Sequence, residues 1–406
     1  MLSAETIAVI KSTAPILQWR GTEITTRFYE KLFTTHPELL NIFNHANQRK
    51  GKQQAALANT VYAAAANIDN LPAILPVVKQ IAYKHRSLGV KPEQYPVVGE
   101  NLLSAMKEVL GDTATPEILG AWGEAYGVIA DVFISVEAEM YNAAETQTGG
   151  WKDFRNFKVS RKVKESEVIT SFYLVPEDNA PIADFFPGQY ISVKLNMTGE
   201  EYTHIRQYSL SDSSGKGYYR ISVKREDAVH KQEQGIVSNY LHSNINEGYI
   251  LSLSAPAGDF ILDTTSTKPV VLLSGGVGLT PMVSMLNALA DAKSDREVTF
   301  IHAAISGKHH AMRSEVNNSV AQCKNGRAYF VYECPTDEDL KSECFHQPGY
   351  INLEWLQSVL PSNDAEFYCC GPLPFMKAIY AALKTWDVSK ERVHYEVFGP
   401  AESLEA

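Results

Sequence analysis

The stretch AAETQTGGWKDFRNFKVSRKV (143–163) carries the change of pattern on which the reading of this chain turns. It begins as the end of an alanine-rich helical pattern, breaks at Gly149-Gly150, and from Phe157 alternates apolar and polar residues. Backward from it, residues 1 to about 145 space their apolar side chains three and four apart with little glycine. That is the period of helix after helix, with Ser3 the expected first N-cap. Forward from it come VITSFYLV (168–175), QYISVKL (189–195), YYRISVKR (218–225) and ILSLSAP (250–256), short alternating runs separated by turn residues. They predict an antiparallel β-barrel or sandwich. After a second polar break, DTTSTK (263–268), strand and helix alternate. VVLLS, VTFIHAA, AYFVYEC and EFYCC are the strands; helices are expected from Pro281, near 311–323 and from Leu373. That order predicts an α/β unit on a parallel sheet. The expected organisation is multidomain: all-α over 1–145, an antiparallel β-barrel over 151–264, and α/β over 268–406.

Composition limits what such a chain can do. Its 406 residues are too many for one ordinary core, and 45% hydrophobic with 21% charged residues is a globular balance. A formal charge of -10 is the wrong sign for a protein that neutralises phosphate backbones, so nucleic acid is not an expected partner. No uninterrupted apolar run approaches bilayer length, and MLSAETIAVIKS lacks the pattern of a signal peptide. The five cysteines, Cys323, Cys334, Cys344, Cys369 and Cys370, are odd in number and form no CxxC. Reduced thiols in a cytoplasmic protein are expected, rather than a disulfide framework or a zinc or iron–sulfur site.

Within the helical segment, three polar side chains fall on apolar faces. Ile81, His85 and Leu88 lie at i, i+4 and i+7; Tyr95 shares a face with Val98 and Leu102; Glu137 follows Tyr126, Ala130 and Phe133. A lone His on such a face is most often a satisfied core histidine. A buried carboxylate is rare unless paired, and a metal-ligating His donates its other N–H to such a partner. Gln53, Leu57 and Val61 form a stripe on another helix, and Tyr29 lies one position off the Ile24–Phe28–Leu32 stripe. Tyr29 and Gln53 are candidate donors to a ligand on a metal; the alternative is a Tyr bordering the core and an exposed Gln.

The runs RFYEKLFTTHPELLNIFN (27–44), NQRKGKQQAAL (47–57), IAYKHRSLGVKPEQYPVVGENLL (81–103) and AWGEAYGVIADVFISVEAEMY (121–141) resemble the globin domain of bacterial and yeast flavohaemoglobins. By that resemblance, which spans residues 1–145, His85 is the proximal ligand of haem b. Tyr29 and Gln53 are the distal polar residues, with Leu57 over the haem and Phe43 packed against it. Tyr95 and Glu137 form the proximal hydrogen-bond network.

In the β segment, RQYSLS (206–211) lies in a strand-like alternation, one strand after GQY (188–190). Arg206 offers a fork of donors for a phosphate, Tyr208 an aromatic face, and Ser209 a small hydroxyl. GIVSNYLHSNI (235–245) reads as a short helix whose N-terminus suits a pyrophosphate. The alternative is a strand with a solvated Arg. The motif resembles the FAD-binding half of the ferredoxin-reductase superfamily. The resemblance implies that Arg206 meets the FAD pyrophosphate, Tyr208 stacks on the isoalloxazine, and Ser209 reaches toward flavin N5. Gln207 belongs to the same site, Tyr190 contacts the adenine or ribityl side, and Val237 and Ser238 hold phosphate. The stretch between Lys224 and Gly235 is longer than that family's pattern.

PVVLLSGGVGLTPMVSML (269–286) is a strand, a glycine-rich turn and a helix; Cys370-Gly371-Pro372 ends another strand, where ligands bind in open α/β sheets. GGVGLTPM, CGP and HYEVFG (394–399) resemble the NAD(P) half of the same superfamily. By that resemblance Gly275, Gly276, Gly278 and Thr280 bind the dinucleotide, and Cys370, Gly371 and Pro372 lie beside the nicotinamide. Phe398 covers the flavin, and Glu396 and Lys84 sit near the flavin and haem edge. Lys308, His309, His310 and Arg313 are either readers of a 2′-phosphate or a basic surface loop. The whole resemblance implies a nitric oxide dioxygenase that makes nitrate from nitric oxide and oxygen, with NAD(P)H electrons passing through FAD to haem. Its partners are small molecules, with room for a lipid in the haem pocket, and no stable protein partner is required. The alternatives are an oxygen or nitric oxide sensor, or a generic NAD(P)H reductase of quinones, ferric chelates or lipid peroxides.

Overall fold

The computed structural model describes residues 2–44, 48, 50–228, 233–399 and 404. Val229–Gln232, in the long stretch between Lys224 and Gly235, lie outside the described residues. The chain forms two compact units: Met1–Phe154 with Ser192–Arg206, and Arg155–Ile191 with Gln207–Ala406.

The first unit is built on helices α1 (Ala4–Thr35), α2 (Lys52–Ala66), α3 (Leu75–Leu88), α4 (Gln94–Leu110) and α5 (Pro116–Thr146). Ser3 caps α1, its hydroxyl accepting from the Thr6 N–H at 3.0 Å. Thr115 caps α5 in the same way, with Pro116 at the first helical position. Ile10, Ile24, Phe28 and Leu32 of α1 pack with Leu102, Ala105 and Met106 of α4 and with Ala121, Trp122 and Ala125 of α5. The buried Trp122 indole N–H is satisfied by Thr13 Oγ1 at 3.0 Å. α3 ends at Gly89 (φ +83°), where the Val90 N–H bonds back to the His85 carbonyl at 3.0 Å. This closure holds His85 in the last turn of its helix. By length and composition α5 is apolar enough to cross a bilayer, although the sequence lacks a long uninterrupted apolar run. Ala121, Trp122 and Ala125 of α5 lie in the core of this unit.

The β segment forms strands β1 (Phe154–Lys164), β2 (Ile169–Pro176), β3 (Tyr190–Leu195), β4 (His204–Ser209), β5 (Tyr219–Lys224) and β6 (Ile250–Ser254) in the order β4-β3-β6-β1-β2-β5. A bridge between Leu210, just past β4, and Ile221 of β5 joins the two ends of that order, which closes the sheet as an antiparallel barrel. One helix, α6 (Ile236–Asn244), is inserted between β5 and β6.

The α/β segment carries β7 (Val270–Gly275), α7 (Leu279–Asp291), β8 (Glu297–Ala304), α8 (Arg313–Gln322), β9 (Asn325–Tyr332), α9 (Asp337–Ser342), β10 (Gln347–Pro348), α10 (Leu353–Val359), β11 (Glu366–Cys370), α11 (Leu373–Thr385) and β12 (Val393–Glu396). The sheet order is β10-β9-β8-β7-β11-β12, and every neighbouring pair is parallel. The helix expected from Pro281 begins at Leu279, so Pro281 lies inside its first turn, where its missing N–H costs nothing.

The α4–α5 crossing depends on Gly99. A Cβ there would fall 2.5 Å from the Tyr126 ring, whose hydroxyl donates to the Tyr95 carbonyl at 2.6 Å. Gly99→Ala is expected to lower the stability of the helical unit by about 1–3 kcal/mol through overpacking. Denaturant midpoints measure it; an unshifted midpoint would mean that the ring has room to move aside.

Candidate functional site

Three helices bring His85, Tyr95 and Glu137 into direct contact. Glu137 on α5 is only 2% exposed. Its Oε1 lies 2.7 Å from His85 Nδ1 and accepts from the Tyr95 hydroxyl at 2.6 Å; the Tyr95 hydroxyl is also 3.2 Å from Nδ1. A carboxylate oxygen at Nδ1 calls for a proton on that nitrogen, which leaves the Nε2 lone pair available to a metal. Burial, helped by the Glu137 charge, pushes the Tyr95 phenol well above its ordinary value, so it stays a donor. Two tyrosines not expected from sequence to be site residues brace this cluster. Tyr126 holds the Tyr95 carbonyl, and the Tyr141 hydroxyl holds the Val90 carbonyl at 2.8 Å, one turn past His85. Tyr126 lies on the Glu137 stripe and was identifiable there by spacing.

Tyr29 is 7% exposed, with its ring against Phe28, Phe33 and Phe43 at centroid distances of 4.8, 5.7 and 5.7 Å. Burial raises its phenol, while the neighbouring Gln48 side chain pulls the other way. Gln48 is therefore a pocket residue that periodicity did not single out. Gln53 is half-buried, and its Oε1 is buried without a hydrogen-bond partner among the described residues, as is Gln48 Nε2. Leu57 packs against the same core. Burial pushes the Lys84 ammonium below its ordinary value.

Arg206, Gln207, Tyr208 and Ser209 form the end of β4, with the first three half-buried and Ser209 6% exposed. Tyr190 pairs with Ala257, and its ring lies against Gly258, where an added Cβ would come within 2.9 Å. Val237 and Ser238 stand in the first turn of α6. The Ser238 hydroxyl is already engaged: it accepts from the Glu226 N–H and donates to the Gly235 carbonyl, both at 3.1 Å. With the Gly235 N–H on the Glu226 carbonyl at 2.8 Å, these bonds close the long loop at its base. Any phosphate contact by Ser238 therefore falls to its backbone.

The glycine turn and the CGP segment meet backbone to backbone. A Cβ on Gly278 would lie 2.2 Å from the Cys370 carbonyl oxygen, and one on Gly371 would lie 3.1 Å from Gly275 N. Gly275 is crowded by the Phe375 ring at 3.0 Å. Only Gly276, at φ +54° with open space around it, is glycine for conformation rather than packing. Thr280 is buried and donates to the Val277 carbonyl at 3.1 Å; Pro372 caps α11. Of the four basic candidates after β8, His310 turns its ring into the core, 4.7 Å from that of His302, and burial pushes it well below its ordinary value. Arg313 is engaged with Tyr332 and Cys344. Lys308 remains exposed, and His309 is held by Ser306.

Residues 26–133 match the Globin family, 156–261 the Oxidoreductase FAD-binding domain family, and 272–381 the Oxidoreductase NAD-binding domain family. A flavohemoprotein of Bacillus thuringiensis subsp. konkukian is 60% identical over 405 residues, covering 100% of both chains. The chain belongs to the flavohaemoglobin family. The crystal structure of flavohemoglobin from Malassezia yamatoensis, with bound FAD and heme, aligns with a TM-score of 0.85 at 29% identity, over 98% of this chain and 100% of that one. The FAD/NAD-binding domain of nitric oxide dioxygenase from Vibrio cholerae is 41% identical with a TM-score of 0.55, over 61% of this chain and 100% of that one.

As a flavohaemoglobin the chain is an oxidoreductase whose cofactors are haem, FAD and a nicotinamide dinucleotide. The residues present fit them. Unpartnered buried amide atoms on Gln48 and Gln53 suit a polar ligand, and with Nδ1 on Glu137 the His85 Nε2 would be the atom to hold a haem iron. Glu396 at the end of β12 has a buried Oε2 with no partner among the described residues, and its neighbours include Ser209 of the expected flavin strand. Phe398, 48% exposed, follows two residues later.

Burial, with a further push from Asp259, raises the Glu396 carboxyl from 4.5 to about 8, the Ser209 hydroxyl pulling the other way. The folded value exceeds the unfolded one, so the folded state holds a proton that the unfolded state has released between these values. Stability contributed by the neutral acid is therefore lost as pH rises from 4.5 to about 8, and is level above that. Glu396→Gln is expected to gain melting temperature on the unmodified chain across this window. A difference independent of pH would place the carboxyl in contact with solvent.

Proposed function

We propose that the chain is a nitric oxide dioxygenase. The reading rests on the shared Glu137 oxygen that engages both His85 and Tyr95. Nitric oxide, oxygen and one electron balance as nitrate, so one hydride supports two turnovers. When bound, the flavin accepts a hydride and releases single electrons, and the haem iron takes them one at a time. What this chain adds is the environment of each group. Glu137, buried beside His85 Nδ1, would draw on a proton there and make Nε2 a more basic ligand for a haem iron, favouring electron donation toward a bound diatomic molecule. Tyr95 donates to the same oxygen, and Tyr126 and Tyr141 fix the backbone around the cluster. The resemblance assigns Tyr29 and Gln53 to the opposite side of the haem, where a phenol kept protonated by burial can donate to an oxygen ligand. Arg206 supplies a guanidinium for the flavin pyrophosphate, and the Gly275–Thr280 turn receives the dinucleotide diphosphate.

The deciding assay is nitric oxide consumption by the purified chain with oxygen and NADH, followed at an electrode with nitrate quantified. Equal amounts of nitric oxide lost and nitrate formed are expected. Consumption absent while NADH oxidation persists in His85→Ala would replace this reading with that of a generic reductase.

Tyr29→Phe is expected to keep haem and to speed oxygen release by about tenfold, the scale of one hydrogen bond of ~1.4 kcal/mol. Flash photolysis reads the rate, and an unchanged rate would remove Tyr29 from the ligand site.

A further inference from the structure

In the second unit, a network of polar side chains centred on the buried Arg220, Asp212 and Asn287 takes no part in the sites described so far. Arg220 of β5 is 3% exposed, and its guanidinium forks onto Glu315 of α8: Nη1 to Oε2 at 2.9 Å and Nη2 to Oε1 at 2.6 Å. Its remaining donors reach the Ser211 carbonyl, Ser211 Oγ at 3.2 Å and the Tyr173 hydroxyl at 3.4 Å. The Asn287 amide on α7 donates both to Glu315 Oε1 at 2.7 Å and to Asp212 Oδ1 at 2.9 Å. Its own oxygen accepts from Ser319 at 2.7 Å, and the Ser284 hydroxyl donates to the Asp212 carbonyl at 2.8 Å. Lys216 and Tyr218 complete the Asp212 carboxylate, each at 2.8 Å.

The position of this network in the chain gives it meaning. Ser211 and Asp212 follow Ser209, the last residue of the strand that carries RQYS. Ser284 and Asn287 lie on one face of α7, whose first residue follows the glycine turn. The network thus ties the continuation of the flavin strand to the helix that begins at the dinucleotide turn. We propose that Arg220 and Glu315, with Asp212 and Asn287, form a clamp that sets the distance between flavin and nicotinamide, which makes them positioning residues for hydride transfer. An ion pair with Arg220 buried and Glu315 half-buried gives little net stability over an apolar contact, but its forked geometry admits one arrangement. Hydride transfer is sensitive to displacements of an ångström, so a fixed arrangement bears on rate. The inference rests on the FAD- and NAD-binding domains alone and is independent of the reaction at the haem.

The test uses the full chain loaded with haem and FAD. Glu315→Gln keeps the shape of the side chain and removes its charge; Arg220→Lys keeps the charge and removes the fork. Flavin reduction by saturating NADH is followed anaerobically per bound flavin. In parallel, hydrogen exchange is followed over residues 209–213 and 279–290 without nicotinamide. Each variant is expected to slow reduction at least about tenfold and to exchange faster in both segments, while holding its FAD. The double variant is expected to be no slower than the slower single one, because both act through one clamp. A per-flavin rate within about twofold of the parent, or losses that multiply in the double variant, would overturn the proposal. Asn287→Ala, which opens the clamp from the α7 side, gives the same reading if either variant loses FAD.

Discussion

Glu137 is a carboxylate at 2% exposure, and the helical unit is arranged around satisfying it. An unpaired charge at that depth would neutralise or unfold its surroundings. Here two donors from two other helices meet one of its oxygens. That requires α3 to end where it does, at a glycine that returns the chain after His85, and α4 to start with Tyr95 facing inward. It also requires α4 and α5 to approach closely enough that Gly99 has no space for a side chain. The packing of this unit and the chemistry of its histidine are therefore one constraint. The bond that offsets the cost of burying Glu137 also sets the His85 tautomer.

Much of this was legible in sequence because an α-helix projects spacing onto a face. His85, Tyr95 and Glu137 each sat with apolar neighbours at helical intervals, and their faces converge in the structure. The change of period after Gly149-Gly150 and the return to strand–helix alternation at Pro269 likewise marked where helices, barrel and parallel sheet follow one another. Gln48 was not legible, because it precedes α2 in a stretch with no period to place it, yet its side chain reaches Tyr29. His310 was misleading in the opposite sense. A histidine in a basic loop reads as a surface residue, and only tertiary packing turns it against His302 and Phe330.

The glycines of the nicotinamide turn show how a correct motif can have a different physical basis. Sequence reading credits Gly275, Gly276 and Gly278 with letting a diphosphate approach the backbone. In the structure, Gly275 is crowded by Phe375 and Gly278 by Cys370, so both are needed before any ligand arrives. Their absent side chains bring the ends of β7 and β11 together, and the same contact fixes Cys370 across from Glu396 in the neighbouring strand pair. A motif that looks like a ligand cradle is thus also a joint between strands.

Contacts distant in sequence are the class that periodicity cannot reveal. Arg220 and Glu315 are 95 residues apart, and in their own elements each reads as an ordinary charged residue on a strand and on a helix. Nothing local says that Arg220 is buried or that its partner comes from another domain family. Apolar side chains could fill such a seam at comparable stability, but they would tolerate sliding, since dispersion contacts carry little direction. A guanidinium forked onto a carboxylate, with Asn287 bridging to Asp212, does not tolerate it: a shift of one element breaks several bonds together. The polar seam is therefore better explained by the geometry it imposes between β4 and α7 than by the free energy it adds.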